Sequence, residues 1–265
     1  MAQYDTSLAR SWALQRRVVF ALLMREVLTR YGRHNIGFLW LFVEPMTFTI
    51  GVTLLWTMAG LHHGSNLPIT VFALTGYSAV LLWRNMPARA VGAIQPNLAL
   101  MYHRNVRIID IFVARLLLEG IGATMSFFIL SLVFIYVFEW VDPPEDILKV
   151  ILGWLSLAWF GMALATFIGA LSEKSELVDK FWHPSAYLLF PLSGAAFLVD
   201  SIPPAMQKII LYIPMVHCTE LIRDGYFGSK FHAIYDMNYL LLWNLALTVL
   251  ALITIRDITG KVTPK

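Results

Sequence analysis

Charged residues are scarce in this chain of 265 residues: Asp, Glu, Lys and Arg make up 14% of it, whereas hydrophobic residues make up 58%. The mean hydropathy of +0.66 is well above that of a soluble domain of this length. The single cysteine, Cys218, excludes an intrachain disulfide, so cysteine usage does not indicate a redox compartment. The composition therefore predicts an integral membrane protein that forms one domain.

Several motifs that carry chemistry are also missing. No G-x-x-x-x-G-K-[ST] sequence occurs, so an ATP-driven function would need an ATPase on another chain. A G-x-S-x-G elbow, an H-E-x-x-H pair and internal repeats are absent too. His62 and His63 are adjacent and do not share a helical face, and His183 and His217 are isolated. We expect no catalytic residue, no metal site and no cofactor bound by this chain.

Long apolar runs dominate what is present. Six of them reach the roughly 20 residues that a bilayer core of about 30 Å requires. They are residues 36–60, 68–87, 111–138, 147–171, 181–199 and 239–255. The sequence therefore predicts an all-α integral membrane protein with a cytoplasmic segment 1–35, a transmembrane domain 36–255 and a cytoplasmic tail 256–265.

The distribution of basic residues predicts the orientation. Six arginines lie in the first 35 residues, which places that end in the cytoplasm. With six spans, 16 of the 20 Lys and Arg residues face the cytoplasm and both termini lie there; a seventh span gives 15. The count fixes the N-terminus but does not separate the two alternatives. Basic residues between apolar runs are typical of membrane orientation, so we expect no nucleic-acid partner.

The stretch "IPPAMQKIILYIPMVHC", residues 202–218, decides whether a seventh span exists. Pro203, Pro204 and Pro214 each lack a backbone N–H, so a straight helix facing lipid is disfavoured. We expect two short helices, about 204–212 and 216–223, that form a re-entrant hairpin at the outer boundary between the fifth and sixth spans. A single Pro-kinked spanning helix is the alternative.

Three stretches between or before the spans are predicted to lie in the cytoplasm. Residues 11–33 have helix-forming composition and predict an interfacial helix. In "QPNLALMYHRNVRIID", residues 95–110, Pro96 ends the preceding helix and Asn97 caps a short new one. Apolar anchors with basic flanks suit docking into a groove on another protein, although contact with lipid headgroups is the alternative. The candidate docking residues are Asn97, Leu98, Leu100, Met101, Tyr102, Arg104 and Arg107. The third stretch, "SEKSELVDKF", residues 172–181, predicts a solvated connection.

Ionisable residues inside the spans need partners. Glu44 lies within the first span, where a charge costs about 2.5 to 3.5 kcal/mol on insertion scales. We expect it to face protein or a wet cavity, either bonding to backbone freed by Pro45 or lining a polar pathway. Arg115 and Glu119 are four residues apart, which predicts an ion pair between them on one helix face.

Two stretches resemble a known family. "RYGRHNIGFLWLFVEPM", residues 30–46, and "WHPSAYLLFPLSGAAFLVDSIPPAMQKIILYIPMVHCTELIRDGYFG", residues 182–228, look like the permease subunit of bacterial capsular polysaccharide ABC exporters, of the ABC-2 type. R-Y-x-x-x-x-I-G-x-L-W is shared widely among polysaccharide-exporting permeases. F-P-x-S-G-A-x-F-x-V-D-x-x-P-P and Y-I-P-M-V-x-x-T-E point to the capsule branch, and the likeness covers nearly the whole chain.

The resemblance implies a homodimer of six-span subunits with two copies of a separate ABC ATPase, which binds the ATP and Mg. It implies export of a lipid-linked acidic polysaccharide across the inner membrane, and a periplasmic adaptor that leads to an outer-membrane pore. The resemblance implies that residues 97–107 are the coupling helix and that the N-terminal segment is an interface helix. Residues 202–228 lie at the periplasmic side of the channel, with four gate candidates: Pro203, Pro204, Tyr212 and Pro214.

Within such an exporter, some aromatic and basic residues would face the polymer. Trp83 is the aromatic candidate for stacking on sugars, although an interface anchor is the alternative. Arg84 and Arg89 would attract an anionic polymer. The alternative is that they only reflect the general excess of Lys and Arg on the cytoplasmic side. Glu44 completes the channel candidates. The rival functions are an O-antigen or teichoic acid exporter, an ion-coupled secondary transporter and an intramembrane enzyme. A secondary transporter tends to show repeated halves, which this sequence lacks.

Overall fold

The computed structural model describes residues 8–32, 37–60, 67–102, 106–230 and 232–262. Every regular element in these ranges is helical, as predicted. Short 3-10 turns and one π-turn, Val133–Val137, link or extend the α-helices. The α-helices of the described ranges are α1 Leu8–Tyr31, α2 Trp40–Met58, α3 Ile69–Ala90, α4 Leu98–Met101, α5 Ile108–Leu132, α6 Ile147–Ser172, α7 Glu176–Leu192, α8 Pro204–Ile210, α9 Pro214–Phe227 and α10 Met237–Val262.

A helix lies at each of the six predicted spans, but only some of these helices are long and apolar enough to cross a membrane. Among the described residues four qualify: α2, α5 with its π-turn, α6, and α10 as far as Gly260. The helix α7 has 17 residues. In α3, 15 of 22 residues are buried within the subunit, so this helix has little need of an apolar outer surface. Length and composition thus support four spans, and the predicted count of six is not confirmed.

The bounds of α7 differ from the predicted span at 181–199. The helix begins at Glu176, because the hydroxyl of Ser175 accepts a hydrogen bond from the N–H of Leu177 at 3.3 Å. It ends at Leu192, and Gly194 then adopts a left-handed conformation with φ +78°. Residues 176–181 of the predicted connection therefore belong to α7, and all of them are exposed or partly exposed.

The proline-rich stretch forms two helices rather than one kinked helix. Pro204 opens α8 and Pro214 opens α9, and in the first turn of a helix the missing N–H has no intrahelical partner to lose. The turn at 211–213 separates the two helices. The predicted pair of short helices is confirmed with shifted ends, and the alternative of a single Pro-kinked spanning helix is wrong.

The helix α9 lies antiparallel to the first turns of α6, and two glycines allow the backbones to approach. A Cβ on Gly153 would meet the carbonyl oxygen of Cys218 at 3.1 Å, and a Cβ on Gly225 would meet the N atom of Val150 at 2.7 Å. Twelve of the 14 residues of α9 are buried. This short helix is therefore a core element of the subunit.

Candidate functional site

Side chains of α1 reach across to α5 and to the segment that precedes it. The Nε of Arg115 lies 3.1 Å from the Oε1 of Glu26, and Arg25 also donates to the carbonyl of Pro96 at 3.3 Å. We call the set the α1 clasp; its pairs, with the α1 residue first, are Gln15–Asp110, Arg25–Asn97, Glu26–Arg115 and Arg30–Glu119. The clasp ties the predicted interfacial helix to the predicted coupling segment.

Glu119 is the carboxylate of the α1 clasp that contacts two arginines. It accepts from Arg30 and lies 3.4 Å from the Nε of Arg89 on α3. The side chain of Glu119 is 10% exposed. The predicted pair between Arg115 and Glu119 is wrong, because α1 lies alongside α5 and brings each of these residues a partner of its own.

A small polar cavity adjoins this carboxylate. Its volume of about 20 Å³ is enough for about one water molecule. The residues around it include Arg30, Glu44, Asn85, Arg89 and Glu119. Glu44 is partly exposed and faces this cavity, on the protein side of α2. Its two suggested roles stay predictions.

The predicted coupling helix, residues 97–107, begins at the last residue of a 3-10 turn, Gln95–Asn97, and is helical only over the single turn of α4 among the residues that the structure describes. Asn97 is buried and does not cap α4: its Nδ2 donates to the carbonyl of Ala93 at 2.8 Å, and its Oδ1 accepts from Arg25. The prediction of an Asn97 cap is therefore wrong, because the side chain serves the α1 clasp and the preceding turn instead.

The other coupling candidates differ in exposure. Met101 is 8% exposed and packs in the hydrophobic core, whereas the Tyr102 side chain is 75% exposed. Leu98 and Leu100 are partly exposed. The exposed Arg107 precedes α5, and its N–H donates to the Asp110 carboxylate at 2.8 Å. Arg104 lies outside the described residues. Tyr102 is thus the apolar anchor of this segment that a partner can reach.

The channel candidates on α3 fall into different environments. Trp83 is 1% exposed and packs beside Gly161 of α6, so its ring meets protein on all sides. Arg84 is partly exposed, and its guanidinium carbon lies 4.4 Å from the centroid of the Tyr187 ring on α7. Arg89 belongs to the Glu119 network. Sequence analysis did not predict a core position for Trp83, because the packing of α6 against α3 is a tertiary contact.

Three polar residues of α9 hydrogen-bond to the surrounding loops, and sequence analysis gave none of them a role. Arg223 is fully buried and donates to the carbonyls of Gly194 at 2.6 Å and Ala195 at 2.9 Å. It also donates to the carbonyl of Phe197 at 2.7 Å, and it lies over the ring of Phe72. Burial lowers the pKa of Arg223 to about 10, so the residue stays charged at neutral pH.

Glu220 and His217 complete what we call the α9 hub: His217, Glu220 and Arg223. The carboxylate of Glu220 accepts from the N–H of Val199 at 3.3 Å and of Ile234 at 3.1 Å, and burial raises its pKa. The Nδ1 of His217 accepts from the N–H of Asp236 at 2.8 Å, and its Nε2 donates to a backbone carbonyl. Burial lowers the pKa of His217, in keeping with a neutral imidazole. Polar residues spaced three apart in an apolar run were the available signal.

The gate candidates lie around α8. Pro203 precedes this helix and Pro204 opens it, while Pro214 opens α9. Tyr212, in the turn between them, is 73% exposed, and its carbonyl accepts a hydrogen bond from the hydroxyl of Tyr239 at 2.8 Å. The exposed Tyr212 ring is therefore the gate candidate that is free to meet another molecule.

His183 contacts a residue of its own helix. The Nε2 of His183 lies 3.4 Å from the carboxylate of Asp179, one turn earlier on α7. His62 and His63 lie outside the described residues.

Four helices of the described residues are long and apolar enough to cross a membrane, which indicates a membrane protein, and comparison with known proteins gives the family. The model of the ABC-2 type transporter family matches residues 17–227. The chain therefore belongs to the ABC-2 type transporter family.

The relatives define the branch. The chain is 42% identical to the capsule polysaccharide export inner-membrane protein CtrC of Neisseria meningitidis, a match that covers 100% of this chain and 99% of the relative. It is 39% identical to the capsule polysaccharide export inner-membrane protein BexB of Haemophilus influenzae, over 98% of each. The polysialic acid transport protein KpsM of Escherichia coli is 27% identical over 90% of this chain and 92% of its own length.

Proposed function

We propose that this chain is the transmembrane permease subunit of an ATP-driven exporter that moves capsular polysaccharide across the bacterial inner membrane. The observation that carries the proposal is the full-length similarity to CtrC and BexB, which are named as capsule polysaccharide export inner-membrane proteins. The matches cover 99% of CtrC and 98% of BexB.

The proposed unit is a homodimer of six-span subunits with both termini in the cytoplasm. In this arrangement α3 and α7 cross the membrane together with the four longer apolar helices. The burial of α3 supports its crossing, because a helix surrounded by other helices meets little lipid. The α8–α9 hairpin then enters the bundle from the periplasmic side and returns without crossing, and Tyr212 lies at the outer gate.

Energy comes from two copies of a separate ABC ATPase that binds ATP and Mg. The segment 95–102 docks into the ATPase with Tyr102 as its exposed anchor. ATP-driven closure of the ATPase then moves this segment. The α1 clasp passes the movement to α1 and α5, since Asn97, Asp110, Arg115 and Glu119 all bond to α1. The permease itself carries out no covalent chemistry.

The exported molecule is a lipid-linked acidic polysaccharide, which passes between two copies of the chain. On the outer side, a periplasmic adaptor receives it and leads to an outer-membrane polysaccharide pore. The partly exposed Arg84, which lies within 4 Å of no carboxylate of the described residues, supports an anionic substrate, because opposite charges raise the local concentration of a polyanion.

Isolation of the tagged chain from its native membrane tests the assignment. We expect a subunit with a nucleotide-binding loop of the Walker type to co-purify, together with ATPase activity. A complex that contains no such ATPase would refute the exporter proposal.

Substitution of the exposed anchor tests the docking segment. We expect Tyr102→Glu to reduce ATPase binding about tenfold while the amount of chain in the membrane stays normal, because the ring projects from the fold. That factor corresponds to the loss of one well-buried interface residue. The control is Met101→Glu, which places a charge in the core and should lower the amount of folded chain. Unchanged ATPase binding by Tyr102→Glu would exclude the proposed docking.

Thiol labelling from the periplasm tests the hairpin. Ser201 and Ser229 flank α8 and α9 and are both exposed, whereas the native Cys218 is fully buried. We expect a reagent that cannot cross the membrane to label both Ser201→Cys and Ser229→Cys. Labelling of Ser201→Cys alone would mean that the stretch crosses.

A further inference from the structure

Arg84 carries a positive charge that the described part of the subunit does not balance. Arg30, Arg89 and Arg115 each lie within 4 Å of a carboxylate. No carboxylate of the described residues lies that close to Arg84. The contact that it does make is with the ring of Tyr187, 4.4 Å away. The cation is thus held in place without being neutralised.

The depth of Arg84 in the bundle makes an unbalanced charge costly. Its neighbour Trp83 packs against Gly161, which is the fifteenth of the 26 residues of α6. Arg84 therefore lies beside the middle of a helix that is long and apolar enough to span a membrane. A charge facing lipid at that depth costs about 2.5 to 3.5 kcal/mol on insertion scales, so charged residues there face a wet path or a partner.

The aromatic surroundings of Arg84 are open on one side. Tyr187 is 65% exposed, so much of its ring stays free after the guanidinium has packed on it. Two helical turns from Arg84 on the same face of α3, Tyr77 meets Phe190 of α7 edge to face at 5.9 Å between ring centroids. Both of these rings are partly exposed. A row of aromatic rings therefore continues from the cation along the α3–α7 seam.

We propose that Arg84 and Tyr187 form a subsite for the acidic sugar residues of the transported polymer. The guanidinium binds the sugar carboxylate through its free N–H groups, and the exposed part of the Tyr187 ring packs on the apolar face of a sugar ring. Tyr187 also fixes the guanidinium by cation–π contact, so little side-chain freedom remains to be lost on binding. This inference rests on the proposed export function and adds the residues that bind the acidic groups of the polymer.

A binding experiment with the intact exporter tests the subsite. The full chain with its ATPase, in lipid nanodiscs, is titrated with fluorescent oligogalacturonate and with a neutral malto-oligosaccharide of matched length. We expect Arg84→Gln to weaken oligogalacturonate binding about tenfold, the loss of a hydrogen bond to a charged group, and to leave malto-oligosaccharide binding unchanged. Tyr187→Leu should weaken both ligands, whereas Tyr187→Phe should bind both as the wild type does.

The controls separate the subsite from its alternatives. Lys208→Gln removes an exposed charge on α8 and should leave binding unchanged. If Arg84→Gln and Tyr187→Leu bind both ligands like the wild type, the subsite is refuted while the export function stands. If Arg84→Gln changes the mass of the assembly, the pair is a contact between copies, and the subsite is refuted. If the wild type binds no acidic oligosaccharide and supports no capsule export in cells, the proposed function fails together with the subsite.

Discussion

The two ends of this subunit are held together by different kinds of bond. The α1 clasp joins side chain to side chain, and two of its four pairs are ion pairs. Arg30, Arg89 and Arg115, which bond to its carboxylates, keep 18% to 45% of their side chains exposed. The α9 hub joins buried side chains to backbone: Arg223 and Glu220 are 0% exposed and bond to carbonyls and N–H groups of the loops. One end is accessible to water, and the other is sealed.

The difference indicates which end moves. Ion pairs that keep some contact with water contribute about 0 to 1 kcal/mol each, so they exchange partners at little cost. A buried charge that loses its partners costs several kcal/mol, so a hub of this kind exists in one arrangement. In the proposed exporter, movement therefore enters through the clasp at the ATPase side, and the α9 hub keeps the outer part of the bundle fixed.

The largest expected effect comes from removing the cation of the α9 hub. Arg223→Met leaves the carbonyls of Gly194, Ala195 and Phe197 without their donor, and we expect a loss of about 3 to 5 kcal/mol of stability. Thermal unfolding of the purified chain measures it. If the variant is as stable as the wild type, the claim that the hub is rigid is contradicted.

A smaller effect is expected from the central carboxylate of the α1 clasp. Glu119→Gln leaves Arg30 and Arg89 without their counter-charge, and we expect a loss of about 2 kcal/mol, since both guanidinium groups still reach some water. The matched variant Glu26→Gln breaks one pair, with Arg115, and should cost less than about 1 kcal/mol. Equal losses of stability in the two variants would show that Glu119 contributes no more to stability than Glu26 does.

The pH dependence of stability distinguishes the hub in another way. Burial lowers the pKa of His217 below its ordinary value of 6.5, so the unfolded chain binds the proton more readily. The stability contributed by the neutral ring is present above pH 6.5 and is lost as the pH falls below it. His217→Gln should flatten this decline between pH 7.5 and 5.5 in thermal unfolding. A wild-type midpoint that depends on pH no more than the variant's would contradict the assignment.

The smallest effect is expected at an exposed ion pair between the segment that follows α9 and the loop that precedes α6. The Nζ of Lys230 lies 3.4 Å from Asp142, and their side chains are 63% and 87% exposed. Lys230→Gln should change stability by less than about 0.5 kcal/mol. This variant is the baseline for the hub variants, and a loss as large as that of Arg223→Met would mean that burial does not set the difference.

Local chemistry predicted the helices well. Apolar runs placed six of them, and the prolines at 204 and 214 indicated that the late stretch could not be one straight helix. The bounds of α7 were missed because Ser175 starts the helix and Gly194 follows its end, and these local signals are weaker than the apolar run around them.

The partners that lie far apart along the chain could not be predicted from the sequence. The pairing of Arg115 with Glu119 looked favourable by helical spacing, yet each residue bonds to α1, which is 89 residues away in the case of Glu119 and Arg30. Met101 was predicted to be a docking residue, and Trp83 a channel residue or an interface anchor, and both are buried by tertiary packing. Burial of this kind depends on which helices become neighbours, and one sequence does not state that.

Hydrogen–deuterium exchange on the complete permease–ATPase complex tests the central claim, that movement enters through the α1 clasp while the α9 hub stays fixed. Exchange is compared between the nucleotide-free complex and the complex trapped with ATP and vanadate. We predict changed protection in residues 8–31 and 95–102 and equal protection in α9 in both states. A change in α9 as large as that in residues 95–102 would contradict the account.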